Sequence, residues 1–243
     1  MSLHLLPTRT AGAAENMAVD FLLLQRYPDP APRFRHYGWR SPAFTFGYSQ
    51  KWLEVNNLIH APENMVGPGT LDICRRPTGG GIVDHREDWT YTLVIPRGHP
   101  LEAERASQSY RQVHECLAQA LAEQAVPAQL QARPEEGAPG APGPANLCFQ
   151  KSEVFDVVNG VTEAKIAGAA QKRNQRGLLL QGSIWRPAAG AAVDWDRFGE
   201  AFAGRLAAVL GTAPERRPWP ELNEEELSAL IERYRSPEWQ EAR

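Results

Sequence analysis

The sequence predicts an α/β chain of the α+β type, in which meandering strands and amphipathic helices surround one core. Three observations carry this. Residues 88–96, "DWTYTLVIP", form a β-branched and aromatic run closed by a proline. Asn159-Gly160 lies between two strand-like runs, and this dipeptide suits the positive φ angles of a type I′ hairpin. Residues 14–26 and 101–126 repeat apolar side chains at helical spacing instead.

In chain order, the first helix places Ala14, Met17, Phe21 and Leu24 on one stripe. "PRFRHYGW" and "AFTFGYS" read as strands, the second alternating at Phe44, Phe46 and Tyr48. "TLDICRR" alternates at Leu71 and Ile73. The helix over 101–126 carries Ala106, Tyr110, Val113, Leu117 and Leu121, with Cys116 packed at the stripe's edge. Residues 127–147 are rich in Pro, Ala and Gly without periodicity and read as a flexible surface loop. A strand from Val154 to Val158 then turns at Asn159-Gly160. The return strand carries Lys165, and "KRNQRG" leads into "LLLQGSIW", completing a three-stranded meander. Helices follow from about residue 194, within a single domain over 1–243. Asp194 caps the first of them, with Phe198, Phe202, Leu206 and Val209 on one face. Asn223 and Glu226 open the second in capping-box fashion, ahead of Leu227, Leu230, Ile231 and Tyr234.

Composition narrows the function. The 243 residues carry a formal charge of -3, whereas a general nucleic-acid binder would be basic. No run is long and apolar enough to span a membrane, and the N-terminus lacks the pattern of a signal peptide. A soluble, cytoplasmic protein is expected. Three cysteines make no disulfide framework, and the six histidines are scattered without zinc-type spacing. Lysine occurs only at Lys51, Lys151, Lys165 and Lys172, so each is worth weighing for chemistry.

The segment "CRRPTGGGIVDH" combines fixed arginine donors with bare backbone, as a groove for an acidic or phosphate-bearing ligand would. A tight turn with solvated arginines is the alternative. A strand through Arg75 and Arg76 sends their side chains to opposite faces, so only one meets the groove. His85 suits substrate positioning or proton transfer, or else is a strand-end histidine satisfied by hydrogen bonds. Cys148 is either an ordinary buried cysteine or a nucleophile. A free thiol titrates near about 8.5 and needs a neighbouring cation to ionise near neutrality. The hairpin can fold Lys165 back toward it, and "AKIAGAA" is an apolar setting in which a solvated lysine is unexpected.

"NMAVD", "HYGWRSPAFTFGYSQ", "RRPTGGGIVDH" and "AKIAGAAQKRNQRGLLLQGSI", in this order, resemble the lipoate–protein ligase A and octanoyltransferase superfamily, part of the biotin/lipoate protein ligase family. The resemblance spans roughly residues 14–185. It implies a mixed, largely antiparallel sheet flanked by helices, related to biotin protein ligase and class II synthetase cores. It assigns Arg76, Thr78, Gly79, Gly80, Gly81 and His85 to the acyl pocket, and Lys165 with Gly168 to the family's lysine motif. Ligases of the superfamily have an Asn-Asp type sequence before that lysine, used for the adenylate and its metal. Here Leu147-Cys148-Phe149 stands there, similar to the cysteine-dependent octanoyltransferases.

The implied activity is transfer of an octanoyl group from acyl carrier protein to a lysine of a lipoyl domain. The acceptor would be glycine cleavage H protein or a 2-oxoacid dehydrogenase E2. Cys148 would carry the acyl group as a thioester, and Lys165 would favour the thiolate and the developing oxyanion. No metal, nucleotide or other cofactor is expected, nor a nucleic-acid or membrane partner, and the chain is expected to be a monomer. Only 58 residues follow Trp185, short for the accessory domain of many bacterial lipoate ligases. Two other readings stand beside this one. The first is an ATP-dependent lipoate ligase forming lipoyl-adenylate. The second is a non-catalytic lipoyl-domain-binding protein, against which Cys148 and Lys165 count.

Overall fold

The computed structural model describes residues 2–61, 71–133 and 152–242. Its elements in chain order are β1 (Ser2–Leu5), β2 (Arg9–Ala11), α1 (Ala13–Gln25), β3 (Arg33–Trp39), β4 (Ala43–Phe46), α2 (Trp52–Ile59), β5 (Asp72–Arg75), β6 (Ile82–Asp84) and β7 (Asp88–Pro96). They continue with α3 (Pro100–Ala103), α4 (Ala106–Ala122), β8 (Ala128–Leu130), β9 (Val157–Asn159), β10 (Lys165–Asn174), β11 (Gly177–Trp185), α5 (Arg186–Ala189), α6 (Trp195–Val209), β12 (Ala213–Arg216), α7 (Glu224–Arg235) and α8 (Pro237–Gln240).

The large sheet runs β12-β1-β3-β7-β11-β10-β9-β8, with β2 also on β3. Pairing is antiparallel from β3 across to β8 and parallel around β1 and β2, so the sheet is mixed and largely antiparallel as expected. A small sheet, β5-β4-β6, stands apart from it. Period-two alternation sorts β7 cleanly. Trp89, Tyr91, Leu93 and Ile95 join the main core with Val113 and Leu117 of α4 and Phe198 and Phe202 of α6. Thr90 and Thr92 point the other way, Thr90 accepting from Trp39 Nε1 of β3 and Thr92 donating to Asp20 of α1.

Helix α1 is buried nearly all round rather than along one stripe, and Phe21 is only half-buried. It lies between the large sheet and α7, so Asn16 and Asp20 are buried along with Met17 and Leu22. Strand β4 stops at Phe46, short of Tyr48, because Gly47 passes against the glycine loop. A Cβ on Gly47 would lie 2.0 Å from the Gly80 oxygen. Helix α4 begins only at Ala106, after the separate turn α3, and Ala106 itself is exposed. Cys116 is packed as expected, and burial pushes its thiol up to about 11.

Part of the expected loop over 127–147 is strand: β8 pairs with β9 at the sheet edge. Residues 134–147 of that loop, Cys148 and Phe149 lie outside the described residues. The strand expected over 154–158 starts later, at Val157, because residues 153–156 form a turn with Phe155 at φ +69°. The Asn159-Gly160 hairpin is not a two-residue type I′ turn. The Asn159 side chain accepts from Val161 N and Thr162 N, and the loop closes from Asn159 to Ala164. Positive φ falls on Glu163, not on Gly160. The β10–β11 turn and the meander are as expected.

Asp194 caps α6 by accepting from Asp196 N and Arg197 N, and Asn223 caps α7 by accepting from Glu226 N. Phe198, Phe202 and Leu206 are buried, but Val209 is exposed at the last turn. Among the described residues no helix is long and apolar enough to cross a membrane.

Candidate active site

Two rows of cross-strand partners make the floor of a cavity. Tyr37, Thr90, Ser183 and Gly168 are successive partners across β3, β7, β11 and β10. Arg35, Thr92, Gln181 and Ala170 form the next row. These residues share one sheet face because side chains alternate with period two. Met17 of α1, Val83 and Gly80 close the space over them.

Such a polar floor needs its groups satisfied. Asp20 of α1 does this for the second row. It forms a 2.6 Å ion pair with Arg35 and accepts from Tyr37 Oη, Thr92 Oγ1 and Gln181 Nε2. Gln181 Oε1 in turn accepts from Thr78 at 2.8 Å.

At one side of the cavity His85 Nδ1 donates to Asp88 Oδ2 at 2.7 Å. A carboxylate only accepts, so Nδ1 carries a proton, and Nε2 shares a 2.7 Å hydrogen bond with the Thr45 hydroxyl. The ring stacks on Trp39 with centroids 3.9 Å apart. Thr90 and Ser183 also donate to Asp88 Oδ2. Burial pulls the Asp88 carboxyl up, but the His85 ring and these donors outweigh it and hold it below its ordinary range. His85 thus lines the cavity while both its nitrogens serve hydrogen bonds within the fold.

The arginines divide as alternation requires. Arg76 lines the cavity and donates to Thr45 Oγ1, Gly79 O and Gly81 O. Arg75 points away and bonds the Gln240, Tyr48 and Gln50 carbonyls. Among the described residues both guanidiniums bond carbonyl and hydroxyl oxygens, Arg76 from the cavity wall and Arg75 away from it. Of the glycine run, Gly80 lines it, at φ +89°. Gly79 and Gly81 contribute their carbonyls to Arg76, and Thr78 braces Gln181 from outside the lining.

On the far side lies Lys165. It is buried, not solvated, and its ammonium sits 2.7 Å from Asp156 Oδ2. Asp156 also accepts from Glu153 N at 2.7 Å and, in a short bond, from Tyr110 Oη. Gly168 separates this pair from the cavity. A Cβ there would come within 3.0 Å of Lys165 Cε, 3.1 Å of Nζ and 3.2 Å of Asp156 Oδ1. A Cβ there would press on the ion pair, so the glycine lets the strand pass it closely. The structure therefore gathers Arg76, Gly80, His85 and Gly168 on the cavity wall with Lys165 beside it. The sequence reading missed Asp156, Tyr110, Thr45, Gln181 and Gly47. Asp156 had a signal, a lone carboxylate inside the apolar run "VFDVV". Burial pushes the Cys74 thiol strongly up, so it is packed away from any such chemistry.

Comparison with known proteins follows the same lines. Residues 12–190 match the family described as lipoyl protein ligase A/B catalytic domain. The chain is 29% identical to octanoyltransferase LipM of Kyrpidia tusciae and 28% identical to that of Symbiobacterium thermophilum, each alignment covering 97% of both chains. Its fold is similar to a putative lipoate protein ligase of T. acidophilum, with TM-score 0.71 and 19% identity over all of both chains. A lipoate-protein ligase A bound with ATP superposes with TM-score 0.70 at 19% identity, over 99% of this chain and 98% of that one.

Proposed function

Because the chain belongs to the lipoyl protein ligase A/B catalytic domain family, we propose that it is an octanoyltransferase of protein lipoylation. The observation that carries this reading is similarity to octanoyltransferases along nearly the whole of both chains. The donor is octanoyl-acyl carrier protein and the acceptor a lysine of a lipoyl domain. The cavity over β10 and β11 takes the acyl chain against Met17, Val83, Ala169 and Ala170.

Cys148 attacks the donor thioester: its C–S bond forms, the carrier's C–S bond breaks, and the carrier thiol leaves. The neutral acceptor amine then attacks the acyl-enzyme. A C–N bond forms, the enzyme's C–S bond breaks, and the amine's proton returns to the Cys148 sulfur. This divides one transfer into two easier steps. Lys165 supplies a compact positive charge for the thiolate and for the oxyanion of each step. What supports a thiol acting there is tethering. Glu153, bonded to Asp156, follows Cys148 by five residues, a chain that reaches at most about 18 Å.

The test is intact mass after incubation with octanoyl-acyl carrier protein, then transfer to apo lipoyl domain with a chelator and no nucleotide. A thioester adduct on the Cys148 peptide is expected, absent in Cys148→Ala and retained in Cys74→Ala and Cys116→Ala. Modification only with ATP, Mg²⁺ and a free acid would make the chain a ligase instead.

A further inference from the structure

We propose that Asp156 is the positioning residue of this acyl transfer, holding Lys165 as an aimed ammonium, and that Tyr110 and a strained turn pinned by His114 set its own aim. This rests on the octanoyltransferase reading and goes beyond it.

The geometry starts with the acid. Asp156 is 1% exposed and Lys165 6%, so neither leans on solvent for stabilisation. A carboxylate buried in this way is held by its donors. Oδ2 takes the Lys165 ammonium and Glu153 N, both at 2.7 Å, and Oδ1 takes the Tyr110 hydroxyl. Tyr110 is fixed in turn, because its oxygen accepts from Ala169 N at 3.0 Å. Ala169 lines the cavity, so one hydroxyl couples the acid to the strand that borders the acyl chain.

The turn that delivers Asp156 is under strain. Phe155 has φ +69°, a left-handed conformation unusual for a bulky aromatic residue. Three hydrogen bonds hold it there. His114 Nδ1 donates to Phe155 O at 2.6 Å, Phe155 N donates to Gln131 O at 2.9 Å, and Gln131 N donates to Asp156 O at 2.8 Å. His114 is fully buried against the Tyr110 ring, 4.1 Å between centroids. Burial lowers its ring below the ordinary histidine range, which keeps it a neutral donor. Strain of this kind persists only where surroundings over-determine it, and here α4 and Gln131, just past β8, both do. Its product is the placement of one carboxylate.

The chemical consequence follows from sign. A carboxylate beside a lysine favours the ammonium and raises its pKa. Only the ammonium stabilises an oxyanion, and only if it is already in place when the charge develops. Without Asp156 the buried ammonium loses the carboxylate that favours its charged form, and its flexible four-carbon stem loses the partner that aims it from 2.7 Å.

The experiment measures octanoyl transfer from octanoyl-acyl carrier protein to apo lipoyl domain by the full-length chain across pH 6–10, with thermal unfolding in parallel. For Asp156→Asn we expect a fall in kcat on the order of 10²-fold, as for loss of one oxyanion donor. We also expect the alkaline limb of the pH profile to move down by about 1 unit or more, with the KM for carrier protein little changed. Asp156→Glu should recover part of the rate and most of the alkaline limb. Tyr110→Phe leaves the ion pair in place but removes the hydroxyl that bonds both Asp156 and Ala169 N, and should lose roughly 3- to 10-fold in kcat, within the modest net worth of such bonds. A merely structural Asp156 would lower the melting temperature and leave the pH profile in place. That outcome, or wild-type kcat in folded Asp156→Asn, overturns the proposal. If Asp156→Asn does not fold, Tyr110→Phe decides, and wild-type kcat there is equally fatal. Absence of transfer by the wild-type chain would strike the octanoyltransferase reading instead, so the two failures are distinguishable.

Discussion

His85 sits 2.7 Å from Asp88, and Lys165 sits 2.7 Å from Asp156, on opposite sides of one cavity. Both pairs are buried and equal in length, but their anchoring differs. Asp88 Oδ2 gathers three donors, from His85, from Thr90 on β7 and from Ser183 on β11. His85 is also bonded to Thr45 of the small sheet and stacked on Trp39 of β3. This pair ties the small sheet to the large one. Asp156 is anchored by α4, through Tyr110, and by its own turn, through Glu153 N. Each carboxylate gathers three donors, but those of Asp88 come from two strands of the large sheet and a histidine bonded to the small one, whereas those of Asp156 come from α4, its own turn and Lys165. Burial and distance therefore do not reveal which pair is scaffold. The destination of the remaining hydrogen bonds does.

The comparison breaks most directly at Asp88. Asp88→Ala should cost about 3–5 kcal/mol of stability, the usual penalty for removing one partner from a buried charged network. For a chain of this size that lowers the melting temperature by roughly 10 °C. Denaturation followed by circular dichroism measures it. A loss below about 1 kcal/mol would mean that the small sheet does not depend on this pair.

On the other side, Lys165→Arg should leave melting nearly in place and lower turnover by about 10²–10³, as for loss of an oxyanion donor. Charge is kept, but a planar fork does not replace a compact ammonium against Gly168, where a Cβ would already be within 3.1 Å of Nζ. Single-turnover acyl transfer with thermal unfolding separates the two effects. If Lys165→Arg unfolds like Asp88→Ala while retaining its rate, the roles of the pairs are reversed.

Asp88 also gives the comparison a pH signature. Its folded carboxyl lies below the ordinary range, near about 3.9 in unfolded chains. A depressed carboxyl adds stability that is complete above the unfolded value and is lost as pH falls through the folded one. The melting temperatures of wild type and Asp88→Asn should therefore differ at pH 7 and converge toward pH 3. A gap that stays constant over that range would show that Asp88 acts by shape rather than charge.

Much of this architecture was legible because alternation is a local property. Thr90 and Thr92 against Trp89, Tyr91 and Leu93 announced the two faces of β7, and the split of Arg75 from Arg76 followed from the same period. Capping by Asp194 and Asn223 was legible for the same reason. The failures are non-local. Nothing near Asn159 shows that its own side chain would make the turn and move positive φ to Glu163. Nothing in "TFGYS" shows that Gly47 would meet Gly80, about thirty residues on. The partnership of Tyr110 with Asp156 joins a helix to a turn 46 residues away, and spacing has no access to that. The lysine was found by its apolar setting, but the acid that holds it needed the fold.

The smallest effect divides the glycine run itself. Three consecutive glycines invite one explanation, yet Gly79 and Gly80 sit in different circumstances. Gly80 has φ +89°, and a Cβ there would meet Arg76 at 3.1 Å and Ala170 at 3.6 Å across the cavity. Around Gly79 a Cβ would meet nothing within 4 Å, and its φ is not in the left-handed region. Gly80→Ala should therefore cost about 1–3 kcal/mol from backbone strain, and it should raise the KM for the octanoyl donor because the new methyl intrudes on the wall. Gly79→Ala should stay within about 0.5 kcal/mol of wild type, as open sites do, or gain slightly from a stiffer unfolded chain. Melting curves and donor KM for the two variants decide it. Equal penalties would mean that the run acts as one flexible unit. Unequal ones would place its requirement for glycine at the residue that faces the cavity.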